Sequence, residues 1–522
     1  MSSMSIRPTA AIAPTAPSLP TMPISWTIAA SDSSSGAGVQ ANLKTMNGLG
    51  VYCCTALTAL TAQNTKGVSS IEPVSLAMLD AQLKALQFDL PPLSINLGLL
   101  HSRAHIELIC KHLKNLDIPI ICDPVMKATS GDNLSNENAV EAMRSDLFPL
   151  SELITPNLDE ALVLLGIKDE RDVDHFIDDT TTDQLIESLA GRLLSFGSRS
   201  VLLKGGHRQG EYCQDYFTDG STRLWLTSEK KHSSSTHGTG CTLSAAIAAC
   251  LALGLSLLDA IVVAKAYVNQ GVRLAPSLGA GHGPLAHQSW PEFEDDLPWI
   301  SPTAEEGRNR TQFLQDHQIG FYPIVDRSAW LETILPTGVK TVQLRIKDLK
   351  GEELEKEIEK AVAISRHYDA RLYINDYWQL ACKYKSFGVH LGQEDLAQAD
   401  IWQIQKENLR LGISTHNYAE IARALSYRPS YIAIGPIHHT TTKEMVHRPQ
   451  GVEALRRWRR SLNYPLVAIG GIFLSNAEPI LQAGADSIAV VRDVCDAENP
   501  SQRCLQWLNL FQNKRTASGF DP

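Results

Sequence analysis

No run of eighteen apolar residues occurs anywhere in the 522-residue chain, so the sequence holds nothing long enough to cross a bilayer as a helix, and no membrane association is expected. Positive charge is also in short supply. The 57 Asp and Glu outnumber the 47 Lys and Arg, a formal net charge of −10, which excludes the broad cationic face that nucleic acids require. Any anionic ligand must therefore be held locally, by a few amides and cations. The ten cysteines include no Cys-x-x-Cys pair and no small-scaffold spacing, and the one adjacent pair, Cys53-Cys54, lies in an apolar run. Reduced, mostly buried thiols in a cytosol-like compartment are expected. Residues 1–23 lack acids, contain one Arg and are rich in Ala, Pro, Ser and Thr. They read as a disordered leader on a cytoplasmic protein; the alternative, an organellar transit peptide, calls for more Arg and a helical apolar face.

What is present is the composition of soluble globular domains, 43% hydrophobic and 20% charged. The length exceeds one ordinary core and predicts at least two domains. The most informative segment is Ser235-Thr236-His237-Gly238-Thr239-Gly240-Cys241, where glycines open a turn and an apolar helix follows. Free amides of a first helical turn, aided by the helix dipole, can seat a phosphate, and glycines allow close approach. Cys241 stands at the mouth of that seat, where it could take a proton or attack an electrophile. A plain helix-entry turn is the competing reading.

In the first half, short apolar runs (Thr27 to Ala30, Ile118 to Cys122, Ser200 to Lys204) alternate with amphipathic stretches, an α/β signature. Residues 291–312 are charged and poor in apolar side chains and read as a linker between domains at 24–290 and 313–522. Eight strand-like runs follow: Ile319 to Val325, Lys340 to Leu344, Arg371 to Ile374, Gly388 to Leu391, Leu409 to Ile413, Tyr431 to Ile434, Leu466 to Ile469 and Ser487 to Val491. Polar residues fall just after seven of them, where a (β/α)₈ TIM barrel builds its active site.

Near the N-terminus, Ser31-Asp32-Ser33-Ser34-Ser35-Gly36-Ala37-Gly38 makes another small-residue turn between strand and helix. Asp123-Pro124, Thr155-Pro156-Asn157 with Glu160, and Lys204-Gly205-Gly206-His207 end further strands. Phosphoryl transfer needs charge neutralisation, in-line positioning and a base, and Lys204 could neutralise phosphate while Asn157 and Glu160 hold Mg²⁺ through water. Together with Gln40 to Thr45 and Thr58 to Asn64, these segments resemble the ribokinase-like superfamily, and within it the hydroxymethylpyrimidine (phosphate) kinases, from about Thr27 to Trp290. The resemblance implies a three-layer α/β/α domain that uses ATP. It assigns Cys241 as general base, Gly238, Thr239 and Gly240 as the anion hole, and Gln63 and Asn42 to the aminopyrimidine. Asn42 stands where Asp is usual, Ser33 and Ser35 where Pro and Gly are usual, and Thr129 replaces a common Lys.

In the second half Asp376 and Asp395 follow consecutive strands and can face one another across a barrel mouth, the oxygen-rich setting that Mg²⁺ prefers. Arg345, Lys347 and Lys443 concentrate positive charge there, which suits a polyanionic substrate with a diphosphate leaving group. Gln343-Leu344-Arg345-Ile346-Lys347, Ile374-Asn375-Asp376, His390-Leu391-Gly392-Gln393-Glu394-Asp395, Gly412 to His416, Thr440-Thr441-Thr442-Lys443 and Ala468 to Ile472 resemble thiamine phosphate synthase, from about Phe321 to Val494. That resemblance implies that Gln343, Leu344, Arg345, Ile346, Lys347, Asn375 and Ser414 bind a pyrimidine diphosphate and that Asp376 and Asp395 bind Mg²⁺. Thr440, Thr441, Thr442, Lys443, Gly471, Val491 and Arg492 then bind a thiazole phosphate. Arg492 departs from a frequent Ser, and His438-His439 from a Pro-containing pair. A metal site at His438, His439 and His447 is the weaker reading beside solvated loop histidines.

The combined expectation is a bifunctional thiamine-biosynthesis transferase with small-molecule substrates, able to form homo-oligomers. A pyridoxal-type kinase joined to a thiazole-isomerising or merely ligand-binding regulatory barrel is the alternative.

Overall fold

The computed structural model describes residues 22–126, 137–167, 182–206, 210–231, 233–440 and 449–517. Ten strands form the first sheet: β1 (Ile24–Asp32), β2 (Tyr52–Asn64), β3 (Gly67–Pro73), β4 (Ser94–Leu97), β5 (Ile120–Cys122), β6 (Leu153–Ile154), β7 (Val201–Leu203), β8 (Tyr212–Thr218), β9 (Arg223–Glu229) and β10 (Trp299–Ser301). Their spatial order is β10-β9-β8-β7-β6-β5-β4-β1-β2-β3. From β7 through β6, β5, β4 and β1 to β2 neighbours run parallel; β3 and β8 to β10 are antiparallel additions at the two edges.

The period-2 alternation of strand side chains divides this domain into three layers. Ile121, Leu202, Leu224 and Leu226 face one core with the helices Thr239–Ala252 and Leu257–Arg273. Ile120, Cys122, Val201, Leu203 and Trp225 face the other, with the helices Leu76–Asp89, Arg103–Leu113 and Thr182–Leu194. The helix Thr239–Ala252 is apolar nearly all round, and ten of its residues are buried. Small side chains let it lie close on the sheet, and Ser94 Oγ donates to its Ala248 carbonyl at 2.7 Å.

The second domain is a closed barrel of eight parallel strands, β11 (Phe321–Val325), β12 (Thr341–Leu344), β13 (Arg371–Asn375), β14 (Gly388–Leu391), β15 (Arg410–Thr415), β16 (Tyr431–Ile434), β17 (Leu466–Ile469) and β18 (Ser487–Val490). All eight expected strands are present, each within two residues of its expected ends. The lumen is filled by Tyr322, Tyr373 and Tyr431 with Ile324, Ala433, Val467 and Ala489, while Val342, Leu344, Leu372 and Ile374 point outward to the helical shell. The three tyrosine rings meet edge-on, with centroids 5.3 to 5.9 Å apart. Each buries a hydroxyl that must keep a partner.

Residues 291–312 are not the open linker their charge implies. Trp299 and Ile300 are buried in β10, which pairs with β9. The acids that read as solvated are engaged: Arg273 pairs with the buried Asp296, Arg460 with Glu292 at 2.7 Å, and Glu294 accepts from the Asn463 amide. Arg308 reaches Asp183 at 2.8 Å, and the Arg310 guanidinium lies 3.6 Å over the Trp299 ring. One apolar core runs from the helix Leu257–Arg273 into the barrel shell, and the barrel helix Tyr418–Tyr427 packs against both that helix and β10.

Candidate active sites

The first site is a cavity of about 510 Å³ at the carboxyl ends of the parallel strands, where open α/β sheets gather loops around ligands. Asp32 organises one wall. Its carboxylate accepts the amides of Ser34 (2.8 Å), Gly36 (3.0 Å) and Ala37 (2.8 Å), and His237 Nε2 lies 3.1 Å away. Burial alone would raise this carboxyl, but the hydrogen bonds from His237, Ser34 and Ala37 outweigh it and hold the pKa at about 2. The opposite wall is the turn before the helix Thr239–Ala252, with Gly238 in the left-handed region at φ 81. The two turns touch backbone to backbone: a Cβ on Gly238 would lie 1.9 Å from the Gly36 carbonyl oxygen.

Lys204 donates to Asp123 at 2.7 Å and lies 3.9 Å from Glu160. Burial would lower its pKa, yet Asp123 and Glu160 raise it further, so the ammonium is charged. Glu160 itself is raised, first by burial and then, against the pull of Lys204, by Asp123. Asn157 and Glu160 form a capping box for the helix Leu158–Leu165, each side chain accepting the other's amide (2.9 and 2.8 Å), which fixes both at the rim of the cavity. Cys241 is half-buried and its thiol is pushed up to about 12, chiefly by burial and then by Asp123. Gln63 reaches the cavity from β2, its Nε2 3.2 Å from His237 Nε2.

Asn42 does not join them. It is buried on the helix Gly38–Gly48, donates to Thr27 Oγ1 at 2.7 Å, and does not line the cavity, because its helical phase turns it toward β1. His207 and Thr129 lie outside the described residues. The structure adds His237 and a buried pair, Lys265 with Asp215 at 2.5 Å, all lining the cavity. A single Lys inside the apolar run Ile261-Val262-Val263-Ala264-Lys265-Ala266 was the available signal.

The second site, about 770 Å³, opens at the carboxyl end of the barrel. Gln343, Arg345, Lys347, Asn375, Asp376, Asp395, Ser414, Thr440, Gly471, Val491 and Arg492 all line it. Leu344 and Ile346 do not: both are 1% exposed, since alternation turns them into the shell when their neighbours face the lumen. Thr441, Thr442, Lys443 and His447 lie outside the described residues. Asp376 pairs with Lys347 at 2.5 Å and adopts φ 66, a left-handed conformation that costs about 1 kcal/mol in most side chains and least in Asp or Asn. Asp395 is raised by burial and then by Asp376 beside it. Two adjacent carboxylates suit a hard cation whose remaining ligands come from phosphate oxygens and water. Among the described residues no group of three or more His, Cys, Asp or Glu gathers as a metal site.

Beneath the mouth runs a buried hydrogen-bonded chain that the sequence did not disclose. Gln343 Nε2 donates to Tyr322 OH (3.2 Å), Tyr322 meets Tyr431 (2.9 Å), Tyr431 meets His390 Nδ1 (2.8 Å), and His390 Nε2 meets Ser414 Oγ (2.8 Å). Burial pushes His390 down to about 4, so it is neutral at pH 7. The side-chain atoms Asn375 Nδ2 and Gln393 Oε1 are buried with no hydrogen-bond partner and line the same cavity, as groups reserved for a ligand are. Gly470 and Gly471 (φ 98 and 64) fold against Pro436 and the His438-His439 backbone, which holds their turn closed.

Residues 32–286 match the family model for phosphomethylpyrimidine kinase, and residues 321–494 match that for thiamine monophosphate synthase. A probable thiamine biosynthetic bifunctional enzyme, chloroplastic, of Oryza sativa subsp. japonica is 31% identical over 486 residues, covering 90% of this chain and 85% of that protein. A thiamine-phosphate synthase of Photorhabdus laumondii is 52% identical over 198 residues, 38% of this chain and 92% of that one. Among solved structures, the pyridoxal kinase of Staphylococcus aureus in complex with ADP is 29% identical with a TM-score of 0.47, covering 54% of this chain and 98% of that one.

Proposed function

The chain belongs to the bifunctional thiamine biosynthetic enzymes, and from that premise we propose how its two cavities divide the work. It joins a phosphomethylpyrimidine kinase to a thiamine-phosphate synthase, both transferases. In the first cavity, ATP phosphorylates the hydroxymethyl group of 4-amino-5-hydroxymethyl-2-methylpyrimidine and then the resulting monophosphate, releasing ADP each time. In the second, the bond from the pyrimidine methylene carbon to diphosphate breaks and a bond to the thiazole nitrogen forms, giving thiamine phosphate and free diphosphate.

Phosphoryl transfer is mainly a matter of position and charge. Lys204 neutralises phosphate, the Gly238 to Gly240 amides seat the transferred group, and Gln63 meets the aminopyrimidine, a ring with donors and acceptors that a carboxamide can match. Cys241 faces the reacting hydroxyl. With its pKa near 12 it is a thiol in the resting site, so it takes the hydroxyl proton only as the thiolate, after losing its own proton to solvent. Asn157 and Glu160 would hold Mg²⁺ through water, which would supply charge neutralisation to the transferring phosphoryl.

In the barrel, Arg345 and Lys347 hold the diphosphate, and Asn375 and Ser414 the pyrimidine. Thr440, Gly471, Val491 and Arg492, with the Thr441 to Lys443 segment, hold the thiazole phosphate. Asp376 and Asp395 would hold Mg²⁺, which supplies charge stabilisation to the departing diphosphate. Departure of the diphosphate leaves an electron-rich pyrimidine cation that the thiazole nitrogen attacks.

The observation that carries this reading is the convergence of Asp376, Asp395, Arg345 and Lys347 at one barrel mouth, cations and carboxylates arranged for a metal-bound polyanion in an otherwise acidic protein. The test is a coupled assay with ATP, Mg²⁺, the pyrimidine alcohol and thiazole phosphate. Thiamine phosphate is expected, and its absence sinks the proposal. Cys241→Ala is expected to abolish pyrimidine phosphorylation and leave coupling of supplied pyrimidine diphosphate intact. Strong competition by equimolar pyridoxal at the kinase would overturn the pyrimidine assignment.

A further inference from the structure

We infer that Asp259, a residue of the kinase domain, is a positioning residue for the synthase site: it caps the barrel helix that carries Glu420 in its first turn and follows directly on the segment bearing Ser414 and His416. The inference rests on the synthase reading above. The segment from Ser414 to Glu420 leaves β15, turns, and enters the helix Tyr418–Tyr427, and Ser414, His416 and Glu420 all line the second cavity. A helix start leaves its first amides without intrahelical partners. Here Asn417 accepts the Glu420 amide at 2.9 Å, the ordinary N-cap bond. The Ala419 amide is satisfied from the other domain, by Asp259 Oδ1 at 2.8 Å.

Asp259 is itself held. Ser256 Oγ donates to its other oxygen at 2.7 Å, and the residue is 8% exposed. The carboxylate therefore arrives in a fixed orientation and adds negative charge at the positive end of the barrel helix. A second cross-domain contact lands on the same turn: Trp290 Nε1 donates to Tyr418 OH at 3.1 Å, and Tyr418 also packs on Trp458 with ring centroids 4.4 Å apart. From inside the barrel the turn is tied by Glu420, whose carboxylate accepts both the His416 amide (2.8 Å) and His416 Nδ1 (2.7 Å). Gln393 Nε2 also donates to the Ser414 carbonyl at 2.7 Å. The segment from Ser414 to Glu420 is thus held by the barrel at its start and by the kinase domain at Tyr418 and Ala419.

Ser414 belongs to the pyrimidine end of the cavity, while Gly471, Val491 and Arg492 lie on β17 and β18 loops that Asp259 does not touch. The effect of losing the cap must therefore be selective. In the full-length protein, Asp259→Ala is expected to raise the synthase KM for pyrimidine diphosphate about fivefold to tenfold, the usual cost of a lost cap. The KM for thiazole phosphate and the pyrimidine kinase rate should stay within twofold. Asp259→Asn keeps an acceptor oxygen and should restore most of the affinity. Trp290→Phe keeps an aromatic ring but removes the donor, and should move the same KM in the same direction. An unchanged KM in Asp259→Ala overturns the inference. So does an equal loss for both synthase substrates accompanied by a lower melting temperature, or a failure of Asn to rescue. Wild-type protein that forms no thiamine phosphate would instead refute the synthase reading.

Discussion

Replacing Gly238 by alanine tests the contact between the two turns that wall the kinase cavity. The added Cβ would sit 1.9 Å from the Gly36 carbonyl oxygen and 2.9 Å from its carbon, so the turns must part by roughly 1.5 Å to regain ordinary contact. Nothing flexible can yield, because the obstructing atoms are backbone. The residue also holds φ 81, which costs alanine a further ~1–2 kcal/mol. Displacement of catalytic groups by about 1 Å commonly costs 10²-fold in rate, so pyrimidine phosphorylation should fall by at least that factor, equivalent to about 2.7 kcal/mol in the barrier. ADP release with the pyrimidine alcohol as substrate reports the loss. Coupling of supplied pyrimidine diphosphate with thiazole phosphate by the same preparation shows that the chain is folded, and should stay within twofold of wild type. A variant that keeps more than a third of its kinase activity would refute the argument that close backbone approach sets this site.

Asp376→Asn should lower coupling by about 10³-fold through loss of metal charge, with the kinase unaffected; Asn tolerates the left-handed backbone at φ 66, so a drop in melting temperature would point to structure instead. Because burial and the neighbouring Asp376 raise Asp395 above the ordinary carboxylate value of 3.8, protons should compete with Mg²⁺ at higher pH than at a free aspartate: the Mg²⁺ concentration for half-maximal coupling should climb as the solution is acidified, and a flat dependence would contradict the shared site. Asp32, lowered from 3.8 to about 2, contributes about 2 kcal/mol of stability that is fully present above pH 4 and is lost as pH falls through 2. Asp32→Asn should therefore be less stable by that amount in calorimetry at pH 7 and converge with wild type near pH 2; a constant gap at both pH values would assign the effect to something other than ionisation.

Much of the barrel was legible because its strands are short, apolar and followed by polar residues, a pattern that topology converts directly into one mouth. Contiguity misled where alternation mattered. Leu344 and Ile346 sit between Gln343, Arg345 and Lys347 in the chain yet face the opposite side. Asn42, which the resemblance assigns to the aminopyrimidine, is turned by its helical phase toward Thr27. The charged stretch at 291–312 concealed a strand because Glu292, Glu294 and Asp296 look solvated until Arg460, Asn463 and Arg273 are placed beside them. Those partners are distant in sequence, as are Asp259 and Ala419, and no local pattern signals such meetings. The same is true of the tyrosines in the lumen, which read as ordinary strand residues.

The buried chain below the barrel mouth has a direction. Gln343 donates to Tyr322, so every hydroxyl proton in the chain keeps an acceptor only if Tyr322 donates to Tyr431 and Tyr431 donates to His390 Nδ1. A neutral imidazole then carries its proton on Nε2 and gives it to Ser414 Oγ. What reaches the cavity is polarised at both ends: Ser414 must offer its own proton outward, and Gln343 its carbonyl oxygen. The barrel interior thus writes a donor and an acceptor into the pocket before any substrate arrives, the complement of a ring nitrogen beside an exocyclic amine.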